Sequence, residues 1–241
     1  MQAFTPFSKP KVDAMTAVQA KIASAHPTSL LRLLGALLLL AAASLLAVAS
    51  PAAQAQGRPE YRTLTPPQPT STPGKIEVLE FFQYSCGHCH TFEPTLQSWK
   101  AKLPKDVAFR AVPITFSDQT IPHSRMFYTL EALGRLDDLH QRVFNAFHLE
   151  RKRLLNVEEQ AQFFTQFGID AKKYTDTYNS FGVNTKVRAA QQLAQNYKID
   201  ATPTMAVDGR FVATVGAGQG GQVSMLMTVD SLIAEARKSR K

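Results

Sequence analysis

Hydrophobic and polar positions along the chain fall into distinct regimes. Residues 30–49 are almost wholly apolar, interrupted early by Arg32. Residues 76–84 form a shorter apolar, aromatic-rich run with no Gly or Pro, which suits a strand covered on both faces. Ser85 follows as an expected N-cap, with a helix opening at Cys86 and continuing through Phe92, Leu96 and Trp99. Pro94 inside it is expected to kink it. Residues 107–114 read as a second strand. From about residue 117 to 196 the apolar period becomes helical. Met126, Phe127, Leu130 and Leu133 mark one helix, and Leu139, Val143, Phe144 and Phe147 another. Asn156 to Glu159 resembles a capping box before Phe163, Phe164 and Phe167, with Gly168 as a stop. Tyr174, Tyr178 and Phe181 form a further stripe, and Val187, Ala190, Leu193, Ala194 and Tyr197 the last of this region. Two strands at 205–207 and 210–215 are joined at Asp208-Gly209, a strong hairpin signal. An amphipathic helix (Val223, Leu226, Val229, Leu232, Ile233) then leads to a basic tail, expected to be solvated.

The first apolar run is preceded by Lys9, Lys11 and Lys21 and followed by the small-x-small sites Ala47-Val48-Ala49 and Ala53-Gln54-Ala55. That pattern reads as a secretory signal peptide over residues 1–55, cleaved after Ala55. An uncleaved membrane anchor is the alternative, because the run approaches spanning length. Without that segment the chain has 23 basic and 18 acidic residues, a net charge of +5. The excess is small and dispersed, so nucleic-acid binding is not indicated. Residues 56–74 are a Pro-rich lead-in with a short edge strand near Tyr61 to Leu64.

Only two cysteines exist, Cys86 and Cys89, in Cys86-Gly87-His88-Cys89. A structural disulfide framework is therefore absent, and the pair itself is the candidate chemistry. At helical spacing the two side chains lie about one turn apart and can reach each other. The nucleophile in disulfide exchange is a thiolate. A helix N-terminus stabilises an anion, and His88 adds a donor or a positive charge. Cys86 is thus the expected acidic, exposed thiol and Cys89 the resolving thiol. Stabilising the thiolate stabilises the reduced form, which makes the disulfide a stronger oxidant. Strand alternation puts Glu80 on one face with Ile76, Val78 and Phe82. A carboxyl there is costly and its pKa is expected to rise, unless it is a rim acid facing water or a Lys.

The stretch LEFFQYSCGHCHTFEP resembles the active site of the thioredoxin superfamily, and within it the DsbA family of bacterial periplasmic oxidases. More weakly, the likeness extends from Tyr61 to the C-terminus. It departs from the usual Pro-His dipeptide, having Gly87-His88 as protein disulfide isomerase does. The resemblance implies an α/β thioredoxin-like fold with an inserted α-helical domain: a core of residues 75–116 and 198–241 around an insertion of 117–197. It implies that Glu80 is a proton acceptor for Cys89. It also implies that Thr202-Pro203 is the superfamily's cis-proline, with Thr202 offering backbone groups to an extended substrate. The activity implied is oxidation of cysteine pairs in reduced, unfolded secreted proteins through a Cys86–Cys89 disulfide, with reoxidation by a DsbB-like membrane quinone reductase. A periplasmic monomer is expected, with no cofactor and no metal.

Rival readings are weaker. Cys86-x-x-Cys89-His90 satisfies the attachment signature of c-type haem, but it follows a buried strand and the downstream strand order completes a thioredoxin core. Gly216 to Gly221 matches G-x-G-x-x-G, yet no following strand with an acidic residue exists. His123, His140 and His148 lack metal-site spacing and read as surface or satisfied residues; His90 reads as a rim residue. The lead-in is too short for the dimerisation domain of DsbC-like isomerases. A periplasmic thiol reductant or isomerase on the same fold remains an alternative, and a redox-inert binding module is disfavoured by the intact cysteine pair.

Overall fold

The computed structural model describes residues 61–215 and 221–240. The apolar run at 30–49, the expected cleavage after Ala55 and most of the glycine loop at 216–221 lie outside the described residues. Among the described residues five strands form one mixed sheet in the order β1-β5-β4-β2-β3. They are β1 (Tyr61–Thr63), β2 (Ile76–Phe82), β3 (Val107–Pro113), β4 (Thr204–Val207) and β5 (Phe211–Thr214). Helix α1 (Gly87–Lys100) crosses from β2 to the parallel β3. Five helices follow before β4: α2 (Ile121–Ala132), α3 (Leu136–His148), α4 (Val157–Thr165), α5 (Ala171–Tyr178) and α6 (Phe181–Asn196). The chain ends in α7 (Gly221–Lys238).

Strand β2 is buried at every position, which explains why its sequence shows an almost unbroken apolar run. It lies between β3, parallel, and β4, antiparallel. Alternation then divides the sheet into two faces. Ile76, Val78, Met205, Val207, Phe211 and Ala213 pack with Phe92 and Leu96 of α1 and with α7. Leu79, Phe81, Val112, Ala206 and Val212 join the core built by α2 to α6. The sequence therefore places α1 and its motif on the face that carries Glu80.

Several expectations change in detail. The buried stripe of α7 is Met225, Leu226, Val229, Leu232, Ile233 and Ala236. Val223 is exposed instead, because at about 100° per residue it lies roughly 120° from the centre of that stripe. Phe181 is also exposed, at 80%. Ser180 caps α6 by accepting from Val183 N–H, so Phe181 begins a new helix and does not continue the Tyr174–Tyr178 stripe. The basic tail is tied down: Arg237 pairs with Asp106 at 2.8 Å, and Arg240 with Asp208. The capping box is present in altered form. Asn156 Oδ1 accepts from Glu159 N–H at 2.8 Å, and the Glu159 carboxylate accepts from the N–H of Leu155, the residue before the cap. Pro94 stays inside α1, where it removes one main-chain bond.

The hairpin between β4 and β5 turns on Asp208 (φ 55°) and Gly209 (φ 68°). Gly209 has a second constraint. An added Cβ would lie 2.0 Å from the Gln68 carbonyl oxygen, and Gln68 N–H donates to the Gly209 carbonyl at 2.8 Å. Gly134 has the same positive φ of 68° but open space around it. Gly134→Ala should therefore cost only the backbone term, about 1 kcal/mol. Gly209→Ala should cost clearly more, because the lead-in must also move. Urea unfolding of the two variants checks the difference; equal losses would mean that the lead-in yields freely.

Candidate active site

The junction between β2 and α1 is tighter than the sequence suggests. Ser85 is exposed and does not cap the helix. Cys86 is itself the N-cap, with φ −83° and ψ 115°, and its sulfur accepts from Cys89 N–H at 3.3 Å. The physical reason is the one that favours serine at this position: a short side chain with an acceptor one atom beyond Cβ can turn back onto the free amides of the first turn. Here the acceptor is a sulfur. His90 N–H donates to the Cys86 carbonyl at 3.1 Å and closes the first helical turn.

Both cysteines are free thiols, Cys86 half-buried and Cys89 fully buried. The Cys86 thiol is lowered to about 5. Hydrogen bonding from the Cys89 side chain is the largest cause; Thr202 and the backbone N–H groups of Cys89 and His88 add to it, and partial burial opposes it. Cys89 is pushed far above the ordinary thiol range, first by burial, then by its bond to Cys86 and the negative charge there. Two thiols one helical turn apart thus have opposite character.

The Thr202-Pro203 peptide is cis, and the Cys86 thiol donates to the Thr202 carbonyl at 3.4 Å. Gln222, at the start of α7, donates to the His88 carbonyl at 2.6 Å. A cavity of about 480 Å³ lies between these elements, lined by His88, Thr91, Thr202, Pro203, Val215 and Gln222. His88 is exposed. It acts on the Cys86 sulfur through its backbone N–H, where the sequence had pointed to its ring.

Glu80 is 1% exposed, so it is not a rim acid. Burial raises its carboxyl well above the usual range. The Glu93 charge raises it further, Lys100 lowers it and Cys86 raises it. The Glu80 charge in turn raises Cys89. Glu93, also 1% exposed, was not singled out from the sequence. It lies four residues after Cys89, on the same helix face, and that spacing is the signal that could have found it. Burial opposes ionisation of Glu93, but His140, Gln97 and Lys100 hold its carboxyl below the usual range. His140 Nε2 lies 3.6 Å from Glu93 Oε1 and its Nδ1 bonds Tyr84 OH at 2.8 Å. Glu80, Glu93, Lys100 and His140 line one cavity of about 470 Å³, together with exposed Glu131 and Asp137.

The other histidines are built in. His123 and His140 are buried, not superficial. His123 Nε2 bonds the Arg153 carbonyl at 2.9 Å, and His148 Nε2 the Tyr84 carbonyl at 2.8 Å. His90 is half-buried and stacks on His148 with ring centroids 4.7 Å apart. Among the described residues no group of His, Cys, Asp and Glu is arranged to hold a metal ion. Haem attachment through Cys86, Cys89 and His90 would need an accessible Cys89, and that residue is fully buried.

Comparison with known proteins agrees with this geometry. Residues 77–223 match the family model described as the DSBA-like thioredoxin domain. The thiol:disulfide interchange protein DsbA of Bordetella parapertussis is 44% identical over 202 residues, 83% of this chain and 96% of that protein. The protein of the same name from Pseudomonas aeruginosa is 41% identical over 203 residues, 84% and 96% of the two chains. The crystal structure of Pseudomonas aeruginosa DsbA superposes with a TM-score of 0.72 at 42% identity, covering 75% of this chain and 94% of that one. A family model that matches 77–223 and relatives 44% and 41% identical over most of both chains agree, and the chain belongs to the DsbA-like thioredoxin family.

Proposed function

We propose that this protein oxidises cysteine pairs in newly secreted proteins through a Cys86–Cys89 disulfide. The observation that carries the reading is the asymmetry of the two thiols: an accessible Cys86 lowered to about 5 beside a buried Cys89 held protonated. A substrate thiolate attacks the Cys86 sulfur, the bond to Cys89 breaks, and Cys89 leaves with the electron pair. A mixed disulfide forms between Cys86 and the substrate. The second substrate thiolate then attacks the substrate sulfur of that bond and releases Cys86 as a thiolate. The substrate loses two electrons and two protons, and the protein ends as the dithiol. Reoxidation by a DsbB-like membrane quinone reductase restores the disulfide, and the expected signal peptide places the cycle in the periplasm. The segments 75–116 and 198–241 form the catalytic core in this reading, and 117–197 the insertion.

This reading gives each site residue a role. Cys89 cannot persist as a thiolate in its surroundings, so it needs a proton when it leaves and must lose one when the disulfide re-forms. Glu80 supplies and accepts that proton, and the cavity it shares with Glu93 and Lys100 connects it to water. Thr202 and Pro203 receive the substrate backbone next to Cys86. A low-pKa Cys86 favours the reduced form and hence an oxidant over a reductant.

In the dithiol protein, alkylation of Cys86 should rise with pH to a midpoint near 5 and then level, while Cys89 stays unreactive. The sign for stability is the same: a depressed folded pKa contributes stability above the unfolded thiol value, and that contribution is lost as pH falls through about 5. A midpoint near 8.5, the ordinary thiol value, would remove the basis of the reading. Cys89→Ser should accumulate mixed disulfides with substrate proteins and Cys86→Ser none; equal trapping by both would reverse the roles.

The donors at the Cys86 sulfur also differ in weight. Cys89→Ala removes the largest one and should raise the Cys86 titration, followed by ultraviolet absorbance, by more than His88→Leu, which keeps its backbone N–H. A larger shift from His88→Leu would assign the effect to the imidazole.

Glu80 gives a paired expectation. Its pKa is raised in the folded state, so its ionisation opposes folding increasingly as pH climbs above the unfolded value of about 4.3. Glu80→Gln should stabilise the protein to urea at neutral pH and slow substrate oxidation, because Cys89 loses its proton partner. Destabilisation with an unchanged rate would show a purely structural acid.

A further inference from the structure

The surroundings of Cys86 are chemically lopsided. On the cis-proline side lie Pro203 and Val215, and α7, whose first residues Gly221 and Gln222 line the same cavity, exposes Val223 and Met227 further along. Next to Ser85 lies a second cavity, of about 390 Å³, whose wall includes Ser85, His123, His148, Arg151, Lys152 and Arg153. Ser85 directly precedes Cys86 in the chain, so the wall of this cavity reaches the residue before the nucleophile. Three successive cations line it, all exposed. Lys152 lies 3.7 Å from Glu150, and among the described residues Arg151 and Arg153 have no ion-pair partner.

The loop that carries these cations is held in place. Lys152 N–H donates to the Ala146 carbonyl at 2.8 Å. The Arg153 carbonyl is bonded by buried His123, the Leu154 carbonyl by Gln160 at 2.8 Å, and Leu155 N–H by Glu159 at 3.0 Å. Leu154 is buried as an apolar plug. Arg151 and Leu154 adopt φ values of 57° and 48°, which non-glycine residues keep only where their surroundings impose them. A solvated basic loop needs none of these restraints, whereas a loop that meets an anion at a fixed place gains from them.

We propose that this cavity receives acidic side chains flanking the reacting cysteine of the substrate polypeptide. The proposal rests on the thiol-oxidase reading and names the substrate feature that reading leaves open. Acidic neighbours disfavour the thiolate of a substrate cysteine. Arg151, Lys152 and Arg153 offset that charge at the moment of attack, and they draw an anionic segment toward Cys86. The apolar shelf on the other side takes the remainder of an unfolded chain.

The test uses the oxidised full-length protein and three dithiol peptides that differ only at the residues flanking the attacking cysteine: Asp, Asn or Lys. Each rate is divided by the rate of the same peptide with a small neutral disulfide, which removes intrinsic thiol reactivity. The Asp peptide should exceed the Asn peptide by about fivefold, the scale of two exposed ion pairs, and the Lys peptide should be slowest. The ratio should fall toward one in an Arg151→Gln/Arg153→Gln variant and in high salt. Equal normalised rates for all three peptides would overturn the proposal, and so would an Asp preference that survives in the variant. Failure of the protein to oxidise any peptide would instead overturn the oxidase reading.

Discussion

A sulfur atom at the start of α1 accepts the hydrogen bonds that a helix normally gives to an oxygen, and the functional geometry depends on that substitution. As N-cap, Cys86 has an extended backbone while its side chain turns onto the first amides. The position needs a rigid strand end before it and a helix after it. Strand β2 supplies the first by being buried at every residue. Two cross-links hold the second: Gln222 reaches the His88 carbonyl, and Trp99 Nε1 bonds Asp230 of α7 at 2.8 Å. The helix therefore cannot rotate to withdraw its N–H groups from the sulfur without disturbing α7.

The same face of the sheet holds two buried carboxyls, an expensive arrangement in isolation. It persists because they are not equivalent. His140, fixed by the Tyr84 hydroxyl, lies beside Glu93 and favours its charge. That charge then acts on Glu80 in the opposite sense. One acid is thus pushed toward its charged form, while burial first and that charge second push the other away from ionisation, and any charge Glu80 does carry raises Cys89. Pairs of titratable groups driven apart by their surroundings are the usual basis for separate acid and base roles.

Much of this was legible in the chain. A largely apolar run announced β2, the cysteine spacing announced the chemistry, and Asp208-Gly209 announced the hairpin. Each is a local signal set by a short-range rule. What escaped depends on contacts between distant segments. Whether Ser85 or Cys86 caps α1 is decided by a turn whose two candidate caps have similar chemistry. Glu93 reads from sequence as an ordinary helix surface acid until α3 covers it with His140. Val223 and Phe181 fit an apolar stripe in sequence, but the phase of a helix against its neighbours is a tertiary property. The cis peptide at Pro203 followed from resemblance alone, since X-Pro bonds are mostly trans.

Gly87 is the point where the motif departs from the Pro-His form usual in the family, and its surroundings show what the departure changes. It is the first residue of α1, has no positive φ, and nothing lies within 4 Å of a Cβ built on it. A Cβ would meet nothing there, and proline is in general favoured at the first position of a helix. Glycine is therefore not required by the fold, and its presence acts in two other ways. It leaves one more N–H at the helix start, next to the sulfur, and it leaves the junction with more conformational freedom to lose on ordering. The groups that lower Cys86 come from Cys89, Thr202 and His88, and none of them depends on the residue at 87. The acidity of the nucleophile is thus set by the helix start and the Thr202 loop.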